Sequence, residues 1–431
     1  MPFRPMPCRR TTWGTNVHMH VVQRNGRVEG WNSRPNSRGT MDIIWVCLTT
    51  TFFCTYAVLC VNCPARSERW WKTESRKLLW VAIGISGPEF ILTAAAGQLA
   101  LARDSVQSFR SAAYKNWTYR HAFFANMGAL SLSHQTSNYI DFPAVTDEEV
   151  WDKSKQDTLT KAITCLQAGY LVLQCIGRAI QGLDVTTLEL STVAIVVCSI
   201  MTSICWLRKP NDVQHPIRVP LKKPMAEVLR EAGPVAAHPY RQTPLDFVDD
   251  FTPSWALNIH RFMKLPVGRN SSIRPITRIG DSKLPAMTWI ESSALCLATF
   301  AYASVHMMGW IFSFPTRLEL LLWRISSLIL VGTTVAFWII ESSAKVYRRR
   351  HLLGIKRKTS TSPEAAGTDN KAEPFVPEQP PLAWEFWGIF PLPIIYAAAR
   401  GYILVEGFYG LRSTRPSAYQ EIEWLAVIPH L

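Results

Sequence analysis

The chain has 431 residues with a net charge of +14, yet only 18% of its residues are charged, below the roughly 25% of soluble proteins. Its 17 tryptophans and a mean hydropathy close to zero come from apolar blocks that alternate with very basic ones. That alternation excludes two or three ordinary soluble domains. It points to an all-α, polytopic transmembrane helical bundle with irregular basic cytoplasmic loops.

Residues 1–40 contain seven arginines and one acid, with no apolar run after the first basic residues. This is not a secretory signal peptide. Prolines and glycines argue against an amphipathic targeting helix, and the segment reads as a disordered basic arm.

A helix needs about 20 apolar residues to cross a bilayer, and four blocks satisfy this directly. They are Ile43 to Val61, Leu190 to Leu207, Ser292 to Phe314 and Leu320 to Ile340, the last broken only by Arg324. Three weaker blocks are Leu78 to Ala102 with Glu89, Ala162 to Gly177 with two glutamines, and Phe386 to Val405 with two prolines and Arg400. The expected total is six or seven crossings. The regions follow as a membrane region at 41–207 with a polar insert at 103–160, a Pro-rich loop at 208–285, a membrane hairpin at 286–344, a polybasic run and flexible linker at 345–383, and a last membrane helix and tail at 384–431.

The stretch "WVAIGISGPEFILTAAAGQ" (80–98) carries Ser86-Gly87-Pro88-Glu89 in its middle. Ser86-x-x-Glu89 has the spacing of a capping box, and proline is tolerated in a first helical turn. The segment is therefore expected to break at Gly87-Pro88. Residues 66–77 just before it hold five basic residues, which places the break at the membrane surface, with water solvating Glu89. The alternative is a discontinuous helix at membrane depth, the arrangement transporters use to aim helix ends at ions or substrates.

Thr146 and Glu149 form a second capping box and mark a helix start. The links near Leu183 to Thr187 and Phe314 to Arg317 are too short for anything but antiparallel hairpins. The 208–285 loop holds 13 Lys/Arg, 7 Asp/Glu and 11 prolines, so it lacks long helices. By the positive-inside rule it faces the cytoplasm, as do 103–160 and 341–383, and the C-terminus then lies opposite. The basic arm and the basic segment 66–77 cannot both obey the rule.

Arg178, Glu189, Glu291, Glu319, Glu341, Arg400 and Glu406 fall near span ends, where capping or snorkelling accounts for them. The candidate intramembrane polar residues are Glu89, His306 and Arg324, because ionisable groups inside a bilayer are costly and usually functional. His306 reads as a neutral imidazole bonded to a carbonyl, and Arg324 as able to snorkel. The run Lys345, Arg348, Arg349, Arg350, Lys356, Arg357 and Lys358 is the candidate lipid-contacting surface, drawing on anionic head groups at the cytoplasmic face. The basic residues show no zinc-finger or basic-zipper pattern, so nucleic acid is not an expected partner. A cytoplasmic protein partner is compatible with the aromatic patches in "PLDFVDDFTPSW". Cys60-x-x-Cys63 has no second pair at finger spacing. No metal ligand set, cofactor motif or catalytic signature appears.

The stretches "RGTMDIIWVCLTTTFFCTYAVL", "GPEFILTAAAGQ", "DKSKQDTLTKAITCLQAGYLVLQCIGRAIQGLDVTTLEL", "WLRKPNDVQHP", "FPTRLELLLWRISS" and "WLAVIPHL" resemble a large family of uncharacterised fungal multi-pass membrane proteins. The resemblance runs from about residue 38 to the C-terminus. It implies a fungal source and a location in the plasma membrane or an endomembrane, and it carries over no site residues.

Three functions fit these features. A non-enzymatic, receptor-like or scaffolding protein ranks first, because no internal repeat of the transporter type is visible. A transporter or channel built on the broken helix ranks second. An intramembrane enzyme ranks last, since no nucleophile and base can be paired. A cytoplasmic 208–285 loop predicts that the sequon at Asn270 carries no glycan. A mobility shift removed by endoglycosidase and abolished by Asn270→Gln would reverse this orientation.

Overall fold

The computed structural model describes residues 22–24, 26–33, 38–65, 68–111, 114–133, 146–152, 157–213, 215–220, 279, 281, 287–360 and 383–423. The chain folds as a helical transmembrane bundle. Among the described residues six helices are long and apolar enough to cross a membrane, over Thr40–Ala57, Ala162–Ile180, Thr187–Cys205, Trp289–Ile311, Arg317–Tyr347 and Trp387–Arg412. Each coincides with a block expected from the sequence. Large side chains such as Leu166, Ile180, Leu321, Leu328 and Ile339 point outward from these helices. Such a band is unfavourable in water and suits hydrocarbon.

In chain order, α1 (Thr40–Phe52) runs into one turn of π-helix, Phe53–Ala57. Next come α2 (Trp70–Ser86), α3 (Pro88–Ser111) and the short α4 (Tyr119–Asn126) and α5 (Asp147–Asp152). The expected cap of α5 forms, with the Thr146 N–H donating to Glu149 Oε2 at 3.1 Å and the Glu149 N–H to Thr146 Oγ1 at 3.2 Å. Two hairpins follow: α6 (Asp157–Ile180) with α7 (Thr187–Cys205), and α8 (Trp289–Val305, extended by a 3-10 turn at His306–Ile311) with α9 (Arg317–Ser360). The chain closes with α10 (Ala383–Ile389) and α11 (Pro391–Tyr409). The main core lies between α3, α7, α8, α9 and α11, around Leu92, Ala194, Tyr302, Trp323, Leu330 and Ile403.

Two polar assemblies mark the ends of the bundle. At one end the described part of the arm, expected to be disordered, is folded onto the bundle. Strands β1 (Val22–Arg24) and β2 (Arg27–Glu29) form an antiparallel hairpin that pairs with a later strand at Ser413–Thr414. The arm's charges have structural work that composition conceals. Arg27 donates to the carbonyls of Ser313, Phe314 and Ser413 at 3.3, 2.9 and 2.6 Å. Arg38 pairs with the buried Glu189, which also closes a capping box with Thr186. Arg178 donates to the carbonyls of Asp184, Ser417 and Gln420 at 2.9, 2.7 and 3.0 Å. Residues 1–21 lie outside the described residues.

At the opposite end Lys209 Nζ donates to Cys60 O at 2.5 Å, Gln98 Oε1 at 2.7 Å and Asn62 Oδ1 at 3.1 Å. The Asn62 N–H donates to Asp281 Oδ1 at 2.6 Å. Arg76 lies 3.8 Å from Asp281, Lys77 lies 2.8 Å from Asp212, and Arg103 lies 2.7 Å from Glu291. The start of α2 and the end of α3 therefore meet the same end, which is also the end of residues 208–213 and 281.

The pair bends by 115° at its break and returns to the side it left. It is a re-entrant hairpin beside six crossings. Residues 68–77 thus share a side with residues 208–213 and 281, and the described part of the arm shares a side with residues 410–423. Two of the arm's arginines are engaged within the protein, Arg27 by loop carbonyls and Arg38 by the carboxylate of Glu189. Most of the 208–285 loop and the 361–381 linker lie outside the described residues.

Removing one member of a buried ion pair costs about 3–5 kcal/mol, so Arg38→Met should lower the thermal midpoint of the detergent-purified protein substantially. Adding Glu189→Gln should recover part of the loss. Equal midpoints for the single and double variants would show that the pair is not coupled.

Candidate functional site

The site forms around the tip of the re-entrant hairpin. α2 ends at Ser86, Gly87 takes an extended conformation, and α3 starts at Pro88. The Phe90 N–H closes on Gly87 O at 3.0 Å, so Gly87 is the N-cap and the expected Ser86–Glu89 capping box does not form. A Cβ on Gly87 would stand 2.7 Å from the Phe90 ring, and one on Gly84 would stand 2.7 Å from Ile91 Cδ1 and 3.3 Å from Thr55 Cγ2. The two glycines let the hairpin close tightly against the π-turn of α1. Ser199 Oγ donates to Cys54 O within that turn, at 2.8 Å, because a π-turn misaligns carbonyls that an α-helix would satisfy.

Arg400 sits at the middle of the Trp387–Arg412 span and is 1% exposed. Its Nη1 lies 2.7 Å from His306 Nε2, and its Nη2 donates to Ile85 O at 3.2 Å, at the carboxyl end of α2. The guanidinium also stands 5.8 Å from the centre of the Tyr302 ring. Guanidinium only donates, so His306 Nε2 accepts and the imidazole carries its proton on Nδ1. That nitrogen faces the carbonyls of Tyr302 and Ala303 without good hydrogen-bond geometry to either. The expectation of a neutral histidine fits this logic, but its partner is a charge and not a carbonyl.

Glu89 occupies the first turn of α3, where a carboxylate suits the helix dipole. Its Oε2 is buried and has no hydrogen-bond partner among the described residues, and neither has the buried Arg400 Nε. Tyr396 lies beside the carboxylate and Arg400 is its counter-charge. The Tyr396 and Tyr302 hydroxyls approach to 3.5 Å. From the Arg103–Glu291 contact at the end of the bundle, Glu89 lies 14 residues along α3, about 21 Å at 1.5 Å per residue. His306 lies about 22 Å along α8 by the same measure. Gln98 and Arg76 meet the same end beside Asp281, and the nine residues from each to Glu89 and Ile85 span about 14 Å, so the tip reaches close to the middle of a hydrocarbon core about 30 Å thick. The expectation of a water-solvated surface residue at position 89 is therefore corrected. The basic residues before it anchor the mouth of the hairpin while its tip enters the bundle.

His306 begins the 3-10 turn, whose tighter winding frees its carbonyl. Trp323 Nε1 and Ser327 Oγ donate to that oxygen at 3.2 and 3.3 Å. Arg324 does not join the cluster. Its Nε and Nη2 donate to Trp310 O at 3.2 and 2.9 Å, and it stacks on the Trp310 ring.

In the polybasic run, Lys345 is held by Glu341 at 3.3 Å and Ser292 Oγ at 2.9 Å, while Arg350 is exposed. The side chains of Arg348, Arg349, Lys356, Arg357 and Lys358 lie outside the described residues, though α9 continues through Ser360. Cys60 and Cys63 are buried in separate clusters. Among the described residues no group of three or more His, Cys, Asp or Glu could hold a metal.

A Cβ on Gly309 would meet Trp323 Nε1 at 2.6 Å and Leu190 Cδ2 at 3.1 Å. Gly309→Ala should therefore displace the indole that holds the His306 carbonyl and destabilise the protein by about 1–3 kcal/mol, as overpacking does. An unchanged thermal midpoint would show that Trp323 can yield.

Neither the curated proteins nor the solved structures contain a match to the chain. One family profile does match, over residues 17–141, 136–230 and 286–431. It covers α1 to α3, both helical hairpins, α11 and the polar cluster at the re-entrant tip, and most of the sequence. The chain is a member of the Family of unknown function (DUF8562).

Proposed function

We propose that the protein is a transporter or channel whose solute or ion path passes the Glu89, His306 and Arg400 cluster. The observation that carries this reading is the position of the Gly87-Pro88 break, inside the bundle and against Arg400. Discontinuous helices at membrane depth present unpaired backbone groups and helix ends to what they bind. Charged residues there are costly and mark substrate or proton pathways. A protein that only held loops in place would gain nothing from a buried anion and cation each left with an unsatisfied atom.

The receptor-like or scaffolding reading rests on the segments 208–285 and 341–383, much of which lies outside the described residues. Its ground is the lack of a visible internal repeat of the transporter type, and the position of Glu89 against Arg400 inside the bundle outweighs that ground. The protein is proposed to be non-enzymatic. A fungal source, membership in a large group of multi-pass fungal proteins, and residence in the plasma membrane or an endomembrane belong to the same reading through the resemblance. The cytoplasmic end would bind anionic lipid through the exposed Arg350 and its basic neighbours, with a cytoplasmic protein as a further partner.

The test is flux through vesicles reconstituted with the purified protein, read with dyes for protons, sodium, potassium and chloride and with labelled amino acids. Wild-type protein should pass at least one of these faster than empty vesicles. Glu89→Gln and Arg400→Gln should reduce that flux to the empty-vesicle level while inserting normally. Flux that both variants retain, or no flux of any probe, would overturn the proposal.

A further inference from the structure

A second polar site lies at the opposite end of α11, independent of the transport reading. A cleft opens there between the two tight links, Asp184 to Thr187 and Phe312 to Pro315, and the segment Ser413 to Arg415. Glu406 lines it and is only 2% exposed. Among the described residues its Oε1 has no hydrogen-bond partner, and its Oε2 has only the Tyr402 hydroxyl, at a long 3.4 Å. That hydroxyl has a single proton and a closer acceptor in Glu319 O at 3.1 Å, so the bond to Glu406 is at best shared. Thr414 lines the same cleft, is 9% exposed, and its Oγ1 has no partner either.

Thr187 supplies a third oxygen. A Cβ built on Gly410 would stand 3.1 Å from Glu406 Oε1 and 3.3 Å from Thr187 Oγ1, so both oxygens converge above this glycine. The arginines nearby are already engaged. Arg27 is spent on loop carbonyls, Arg412 on Glu319, and Arg415 on Asp184. A buried carboxylate with no ion-pair partner costs several kcal/mol; among the described residues none pairs with Glu406, and Arg412, held by Glu319, acts on it only at a distance.

The donors are a carboxylate and hydroxyls, hard oxygen ligands without nitrogen or sulfur, which suit hard cations. Calcium usually takes six to eight oxygens, several of them carboxylates, and magnesium keeps most of its waters. One carboxylate with two threonine hydroxyls matches a single positive charge. We propose that Glu406, Thr187 and Thr414 bind a monovalent alkali cation. The cleft lies at the end away from the basic loops, the non-cytoplasmic side if those loops are cytoplasmic, and the cation ties α11 to the two links and to the terminal strand.

The test uses the full chain purified in detergent, with its thermal midpoint followed against sodium chloride, potassium chloride and choline chloride at matched ionic strength. A cation that binds only the folded state raises the midpoint saturably. The expected result is such a rise with sodium or potassium, absent with choline and lost in Glu406→Gln and Thr414→Val. Where Glu406→Gln fails to fold, Thr414→Val and Thr187→Val decide. No rise, an equal rise with choline, or a rise that the foldable variants keep would overturn the site, leaving Glu406 as a protonated acid or a water ligand.

Discussion

A guanidinium in the middle of a membrane bundle has to find acceptors within the protein, and Arg400 sets much of the interior arrangement through that demand. It takes the His306 imidazole from α8, the Ile85 carbonyl from the end of α2, and the face of Tyr302. Two of these groups, Ile85 and His306, lie where a helix departs from regularity. Ile85 has a carbonyl to offer because α2 stops at Gly87, and the chain at His306 tightens into a 3-10 turn whose own carbonyl is then held by Trp323 and Ser327. Arginine, broken helix and tightened turn form one mutually dependent unit.

The same rule governs the rest of the fold. Lipid offers no hydrogen bonds, so irregular backbone within or near the bilayer needs partners from the protein. The π-turn of α1 has Ser199, the 3-10 turn has Arg324 on Trp310, and the links at one end have Arg27 and Arg178. Lys209 and Asp281 perform this task at the other end. Much of the chain's positive charge near the bundle is thus structural, and the high net charge overstates how much is available for anionic partners. Lys345 illustrates the point, being engaged by Glu341 and Ser292 within the basic run.

α11 carries both sites with unsatisfied polar atoms. Arg400 and Glu406 are six residues apart, about 9 Å along the helix axis, and each has one buried atom without a partner. One faces the re-entrant tip and the other faces the cleft at the end of the bundle. A rigid helix that touches an interior charge cluster and a terminal cleft is a physical link between them, since a shift along its axis alters both.

The sequence by itself determined the class of molecule, a count of six or seven spans, the tight links, the break at Gly87-Pro88 and the cap at Thr146. These follow from local properties: apolar length, link length, proline and glycine chemistry, and side-chain spacing. It could not determine the depth of Glu89, because a basic stretch before a broken amphipathic helix has the same pattern at the mouth of a re-entrant hairpin as on the membrane surface. Arg400 and Glu406 seemed to lie near a span end because apolar residues thin out after Val405, whereas the helix continues through Tyr409 and brings Arg400 to mid-span. Tyr302 and Tyr396 carried no signal at all, and Thr414 gained its role only when the arm's hairpin paired with it. Which helices neighbour one another decided these positions, because a buried charge is placed by partners distant in the chain.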